Sequence, residues 1–179
     1  MILLCFFVFI LYIAIESFRV RPGGKRRLEI RFWLFSVGVA LALAFRRWFE
    51  MHAGALFWPQ TTATEIVADA AALAGLAVAL WSRRTLGNNW SSEIAIQKHH
   101  ALVERGPYAY LRHPMYSGIL LMLLGAAVYF GRYAWLVLFF SCLLGLYLKS
   151  RREERLLMRA FPDYPNYQRR TKALIPFVL

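Results

Sequence analysis

The 179-residue chain is poor in acid and almost free of cysteine. Ten Asp and Glu stand against 22 Lys and Arg, a formal net charge of +12. Only Cys5 and Cys142 occur, each inside an apolar run with no Cys or His nearby at ligand spacing. This argues against a disulfide framework or a zinc site and leaves both thiols as lipid-facing or core fillers. There is no soluble-type glycine-rich dinucleotide loop, because Gly23-Gly24 follows an apolar run and lacks a strand-loop-helix context. No nucleophile-base pair for covalent catalysis stands out, and Ser117, beside Tyr116, reads as a helix-packing residue. Without internal repeats or low-complexity linkers, residues 1–179 read as one domain.

What is present is apolar chain. Hydrophobic residues make up 59% of the sequence, more than a soluble domain of this size can bury, whereas a bilayer solvates them. The basic groups flank hydrophobic runs, a pattern that sets nucleic acid aside as a partner. Five runs stand out: Met1 to Ile15, Phe32 to Phe45, Ile66 to Trp81, Met115 to Phe130 and Tyr133 to Leu148. Several are shorter than the roughly 20 residues that cross a bilayer, but flanking Trp, Tyr and Arg extend them by snorkelling. The first run is preceded by no Lys or Arg, unlike a signal peptide. The expected fold is therefore an all-α integral membrane protein with about five transmembrane helices.

Charge sets the expected orientation. If every run crosses, 19 of the 22 Lys and Arg lie on one face, in the first loop, the third loop and the tail. The positive-inside rule then puts the N-terminus outside and the third loop and C-terminus in the cytoplasm. Little more than Gly131-Arg132 joins the last two runs, which forces a tight antiparallel helical hairpin. The stretch "RGPYAYLRHPMYSG" (105–118) is thereby brought level with "LKSRREERLLMRAF" (148–161). His99, His100, Tyr108, Tyr110, Arg112, His113 and Tyr116 should face Lys149, Glu153 and Glu154 across this junction. Tyr and Arg at a helix end also serve as interfacial anchors, so a scaffold or lipid-binding protein is one reading of the residues alone.

The two clusters have a further property. "HHALVERGPYAYLRHPMYSG" followed by "EERLLMRAFPDYPNYQRR" resembles the isoprenylcysteine carboxyl methyltransferase family, and more distantly the membrane phospholipid methyltransferases. The pattern H-x-L-V-x-x-G-P-Y-x-x-x-R-H-P-x-Y-x-G, then E-E-x-x-L and F-x-x-Y-x-x-Y, is met throughout, with Pro162 where the family often has glycine. "LGNNWSS" (86–92) is similar to the family's bacterial branch. The resemblance covers residues 84 to 177 and divides the domain into three N-terminal spans (1–82) and a cofactor-binding catalytic half (83–179).

The resemblance implies S-adenosylmethionine as methyl donor, in a cytoplasmic pocket over the last two helices. His100, Ala101, Leu102 and Val103 would line the adenosine pocket largely through backbone, with Tyr108, His113, Pro114, Met115 and Tyr116 completing the wall. Glu153 aligns with the family glutamate that contacts the cofactor, and Lys149 falls where animal members have a substrate-anchoring arginine. The residues suit these roles, since tyrosine faces stabilise a sulfonium, Glu153 accepts from ammonium or ribose, and Arg112 or His113 meets a carboxylate. Glu153, His113 and Arg112 are the catalytic candidates. Arg83, Arg84 and Lys149 are the candidates for holding an acceptor carboxylate.

The implied acceptor is prenylated or otherwise amphiphilic, entering from the membrane, and no metal is implied. Carboxylate methylation needs no strong base, the nucleophile being ionised near neutral pH. A phospholipid amine would have to lose a proton, with His113 or Glu154 as helpers. An NADPH-dependent sterol or enone reductase is the other enzymatic alternative, because sterol reductases have a similar C-terminal helical arrangement.

Overall fold

The computed structural model describes residues 1–19, 56–87 and 102–175. Among them the protein is helical: α1 (Ile2–Arg19), α2 (Thr62–Leu86), a 3-10 turn (Gly106–Ala109), α3 (Pro114–Phe130), α4 (Tyr133–Ala160) and the short α5 (Tyr164–Arg170). The second apolar run, Phe32 to Phe45, lies outside the described residues.

Helix α2 starts where its sequence can satisfy its own amides. Thr61 Oγ1 accepts from the Thr64 N–H at 3.2 Å, and Thr64 Oγ1 accepts from the Thr61 N–H at 2.9 Å, a reciprocal capping box. It ends at Gly87, whose φ of 51° suits a residue without Cβ. Helix α3 begins with Pro114, whose missing N–H costs nothing in a first turn. It stops at Gly131, in the left-handed region at φ 59°, and α4 begins two residues later. The carbonyls freed at that end are met from outside the hairpin. Trp58 Nε1 donates to Val128 O, and Gln60 Nε2 donates to Tyr129 O and Phe130 O.

Small residues set the closest packing. A Cβ added at Gly75 would lie 2.6 Å from Gly118 O, and one at Gly118 would lie 2.6 Å from Gly75 O. The backbones of α2 and α3 thus meet directly, with Ala68, Ala72 and Ala79 along the same seam. Ile2, Cys5 and Phe9 of α1 fill one side of this core, so Cys5 is a core filler. Cys142 is half-buried against the second apolar cluster.

Helix α4 is different. Only Ser150 and Glu154 along its 28 residues are buried, and Val137, Phe140, Leu144 and Leu148 are exposed. Among the described residues two helices, α2 and α4, are long and apolar enough to cross a membrane. Only 22% and 6% of their most apolar windows are buried within the protein. Such surface calls for lipid rather than water, and the chain is an integral membrane protein.

Candidate functional site

The site arises from a mismatch in helix length. With 17 residues in α3 and 28 in α4, α4 runs about three turns past the start of its partner. The segment leading into α3 and the short α5 gather around this overhang.

Glu153 is the centre of one side. The Tyr116 hydroxyl donates to Glu153 Oε1 at 2.6 Å, and His113 Nδ1 lies 3.4 Å from Oε2. The rings of His113 and Tyr116 stack with centroids 5.5 Å apart and 7° between planes, as their i, i+3 spacing allows. Lys149, one turn before Glu153, holds Nζ 5.2 Å from the Tyr116 ring centroid and 4.0 Å from Glu153 Oε1. A cation thus already sits over a tyrosine face beside a carboxylate.

Glu154 belongs to the adjoining flank of α4 and is 1% exposed. It accepts from Arg112 Nε at 2.6 Å and from Gln168 Nε2 at 3.2 Å. His113 Nε2 approaches Glu154 Oε1 to 3.5 Å without the alignment of a hydrogen bond. His113 therefore stands between two carboxylates, with one buried nitrogen making no aligned bond. Arg112 also uses Nη1 to reach Gln168 O at 3.1 Å and Thr171 O. Its described bonds thus all hold protein together.

The C-terminal segment returns to lock this arrangement. Arg112 N–H donates to Lys172 O at 2.8 Å, His113 N–H to Ala173 O at 3.0 Å, and Lys172 N–H to Tyr110 O at 3.2 Å. Ser117 Oγ donates to Leu174 O, with His113 O also within reach at 3.3 Å, so its hydroxyl is engaged in packing. Tyr167 Oη donates to Tyr108 O at 2.7 Å. Burial pushes the Tyr108, Tyr164 and Tyr167 phenols above their ordinary range and keeps them neutral.

Other candidates occupy the surroundings. Pro114 is buried at the head of α3, and Met115 packs against both apolar clusters. Leu102 and Val103 are half-buried in the lead-in, which Arg170 ties to α5 through Glu104 at 2.5 Å. Tyr110 is exposed. Arg83 is buried in the last turn of α2 with Nη1 bonded to Gly87 O, while Arg84 is exposed. The 3-10 turn abuts that end of α2, with Gly106 facing Thr85 and Trp81. His99, His100 and Ala101 lie outside the described residues.

Gln168, Thr171 and Leu174 were not foreseen from sequence. Gln168 follows the flagged Tyr164–Tyr167 pair, but the other two act through backbone carbonyls, which leave no signature.

A model of the phospholipid methyltransferase family matches residues 63–164, which contain Arg112, His113, Tyr116, Lys149, Glu153 and Glu154 but not the returning segment from Tyr167 onward. The chain belongs to that family. The cobalt-zinc-cadmium resistance protein CzcN of Cupriavidus metallidurans is 36% identical over 99 residues, covering 53% of this chain and 45% of that protein. The protein-S-isoprenylcysteine O-methyltransferase of Schizosaccharomyces pombe is 34% identical over 97 residues, or 51% of this chain and 41% of that protein. The matched stretch thus spans less than half of each relative. The structure of a eukaryotic intramembrane Ras methyltransferase, an isoprenylcysteine carboxyl methyltransferase, superimposes with a TM-score of 0.60. That likeness covers 83% of this chain and 53% of the other at 20% identity, and shows a shared fold. The family resemblance seen in the two sequence clusters is borne out.

Proposed function

We propose that this protein is an S-adenosylmethionine-dependent membrane methyltransferase that methylates the carboxylate of an isoprenylcysteine-like, lipid-linked acceptor. The observation that carries the reading is the Tyr116–Glu153–Lys149 cluster at the open end of the hairpin. Its carboxylate and aromatic face suit a ligand bearing an ammonium and a sulfonium, and the unaligned His113 Nε2 has hydrogen-bonding capacity to spare. When bound, S-adenosylmethionine supplies a methyl group activated by positive sulfur.

The chain's own residues do the rest. Glu153 accepts from the ammonium or ribose, and Tyr116 presents its face to positive charge. Tyr108, Pro114 and Met115 wall the cofactor, and the backbone at Leu102 and Val103 lines the adenosine. Lys149 and Arg84 hold the acceptor carboxylate while its tail stays in lipid, and Arg83 supports that edge. No strong base is required, because a carboxylate is ionised near neutral pH. The site excludes water and aligns the reactants. Arg112 acts as a positioning residue, fixing Glu154 and through it the surroundings of His113. The N-terminus lies outside, and the catalytic loop and C-terminus are cytoplasmic, as the positive-inside rule supports.

A phospholipid amine is the second reading, favoured by the matched family model and by a histidine between two carboxylates that suits proton removal. Labelled-methyl transfer to a farnesylcysteine analogue, run beside phosphatidylethanolamine, separates the two. Base-labile label on the first supports the ester. Base-stable methylamine from the second overturns the carboxylate assignment, and no transfer to either by well-folded protein overturns both.

A further inference from the structure

A cleft of about 560 Å³ opens on the side of α4 away from the Tyr116–Glu153 cluster. Arg151, Arg155 and Met158 of α4 line it together with Gln168 of α5, and Tyr147 and Leu148 form its end nearest the apolar run. At about 100° per residue, Arg151 stands about 200° around the helix from Lys149 and Glu153. The cleft therefore lies on nearly the opposite face from the Tyr116–Glu153 cluster. Glu154, on the flank between them, is common to both.

Three features determine what such a cleft would hold. Arg151 and Arg155 are exposed and one turn apart, a spacing that lets two guanidinium forks address one tetrahedral anion. The only acid in the wall, Glu154, already accepts from Arg112 and Gln168. Beyond the cleft, the same helical face continues into the bilayer segment as exposed Leu148, Leu144, Phe140 and Val137. All these positions fall within about 80° of one another, and Val137 to Leu148 spans about 16 Å, close to half the hydrocarbon thickness of a bilayer.

The geometry points to a binding site for one anionic phospholipid, its phosphodiester against Arg151 and Arg155 and an acyl chain along Leu148, Leu144 and Phe140. The paired guanidiniums repel a headgroup ammonium, so this lipid is not an amine-bearing methyl acceptor. It is a held component of the assembly, and the site stands independently of the proposed reaction. Arg151 Nη1 lies 3.7 Å from Glu154 Oε2, so an anion drawing on Arg151 competes with a carboxylate that borders His113.

Native mass spectrometry of the full chain, released from micelles containing equal phosphatidylglycerol and phosphatidylcholine, reads the site directly. One phosphatidylglycerol should be retained in preference by roughly tenfold, given two basic groups at the headgroup. The R151Q/R155Q variant should lose that preference, whereas R159Q, which removes an exposed cation outside the cleft, should keep it. Should the double variant fold poorly, R155Q alone should still lower retention severalfold, since Arg155 lines the cleft from an exposed position. Equal retention of the two lipids by the unaltered protein would overturn the site. So would an R159Q loss as large as that of R151Q/R155Q, or displacement of the lipid by glycerol phosphate at matched concentration, which would mark a site for free phosphate.

Discussion

Arg112 and Glu154, 42 residues apart in sequence, meet at 2.6 Å between Nε and Oε1 with 10% and 1% of their side chains exposed. The pair joins the start of α3 to the overhang of α4, and the second Arg112 nitrogen extends the joint to the C-terminal segment. Removing one partner of a buried ion pair leaves the other charge uncompensated. Arg112→Ala and Glu154→Gln should therefore each destabilise the protein by about 3–5 kcal/mol. Arg112→Lys should recover only part, because an ammonium lacks the planar fork that serves a carboxylate and carbonyls together. Unfolding followed by tryptophan fluorescence in detergent measures this, and losses below about 1 kcal/mol would remove the pair from its structural role.

The glycine seam gives a contrast within one chain. Gly75→Ala and Gly118→Ala each place a methyl group 2.6 Å from a carbonyl oxygen of the facing helix, so α2 and α3 must separate. Each should cost at least about 1–3 kcal/mol. Gly145→Ala meets nothing within 4 Å among the described residues and should stabilise α4 by about 0.5–1 kcal/mol. Thermal midpoints, compared at one detergent concentration, should place Gly145→Ala above both seam variants. Equal midpoints would mean that the seam is not close-packed.

Tyr164 is fully buried, and its hydroxyl makes no hydrogen bond among the described residues. Burial pushes its ionisation to higher pH, with the Glu154 charge adding to the effect. A raised phenol stabilises the fold below the unfolded value near 10 and loses that contribution as pH climbs above it, where the unfolded chain ionises first. Stability should accordingly fall above about pH 10, and Tyr164→Phe should flatten part of the fall while changing stability at pH 7 by less than about 1 kcal/mol. Melting temperatures from pH 7 to 11 check both halves. An unchanged alkaline slope in Tyr164→Phe would show that this phenol is not the titrating group.

Much of the site could be read from sequence because two residues, Gly131 and Arg132, close the hairpin. So short a link leaves one register, and it carries Glu153 to Tyr116 and His113. The extent of α4 was less legible. Its apolar run ends at Leu148, but Arg and Glu are good helix formers, and the helix continues to Ala160. The return of the C-terminal segment was not legible. The bonds from the Arg112 and His113 amides to Lys172 and Ala173 are backbone to backbone, and no side-chain pattern encodes them. For the same reason Arg112 reads in sequence as a free cation available to a ligand, whereas its described bonds go to Glu154 and to two carbonyls.

The proposed reaction requires that the Glu153 side of α4 bind the cofactor. Isothermal titration of the purified, full-length protein in detergent with S-adenosylhomocysteine should give saturable binding at one site. Glu153→Gln should weaken it by about 10- to 100-fold, the loss of a charge-assisted hydrogen bond, with an unchanged melting temperature. Absence of binding to well-folded protein, or equal affinity in Glu153→Gln, would contradict the assignment.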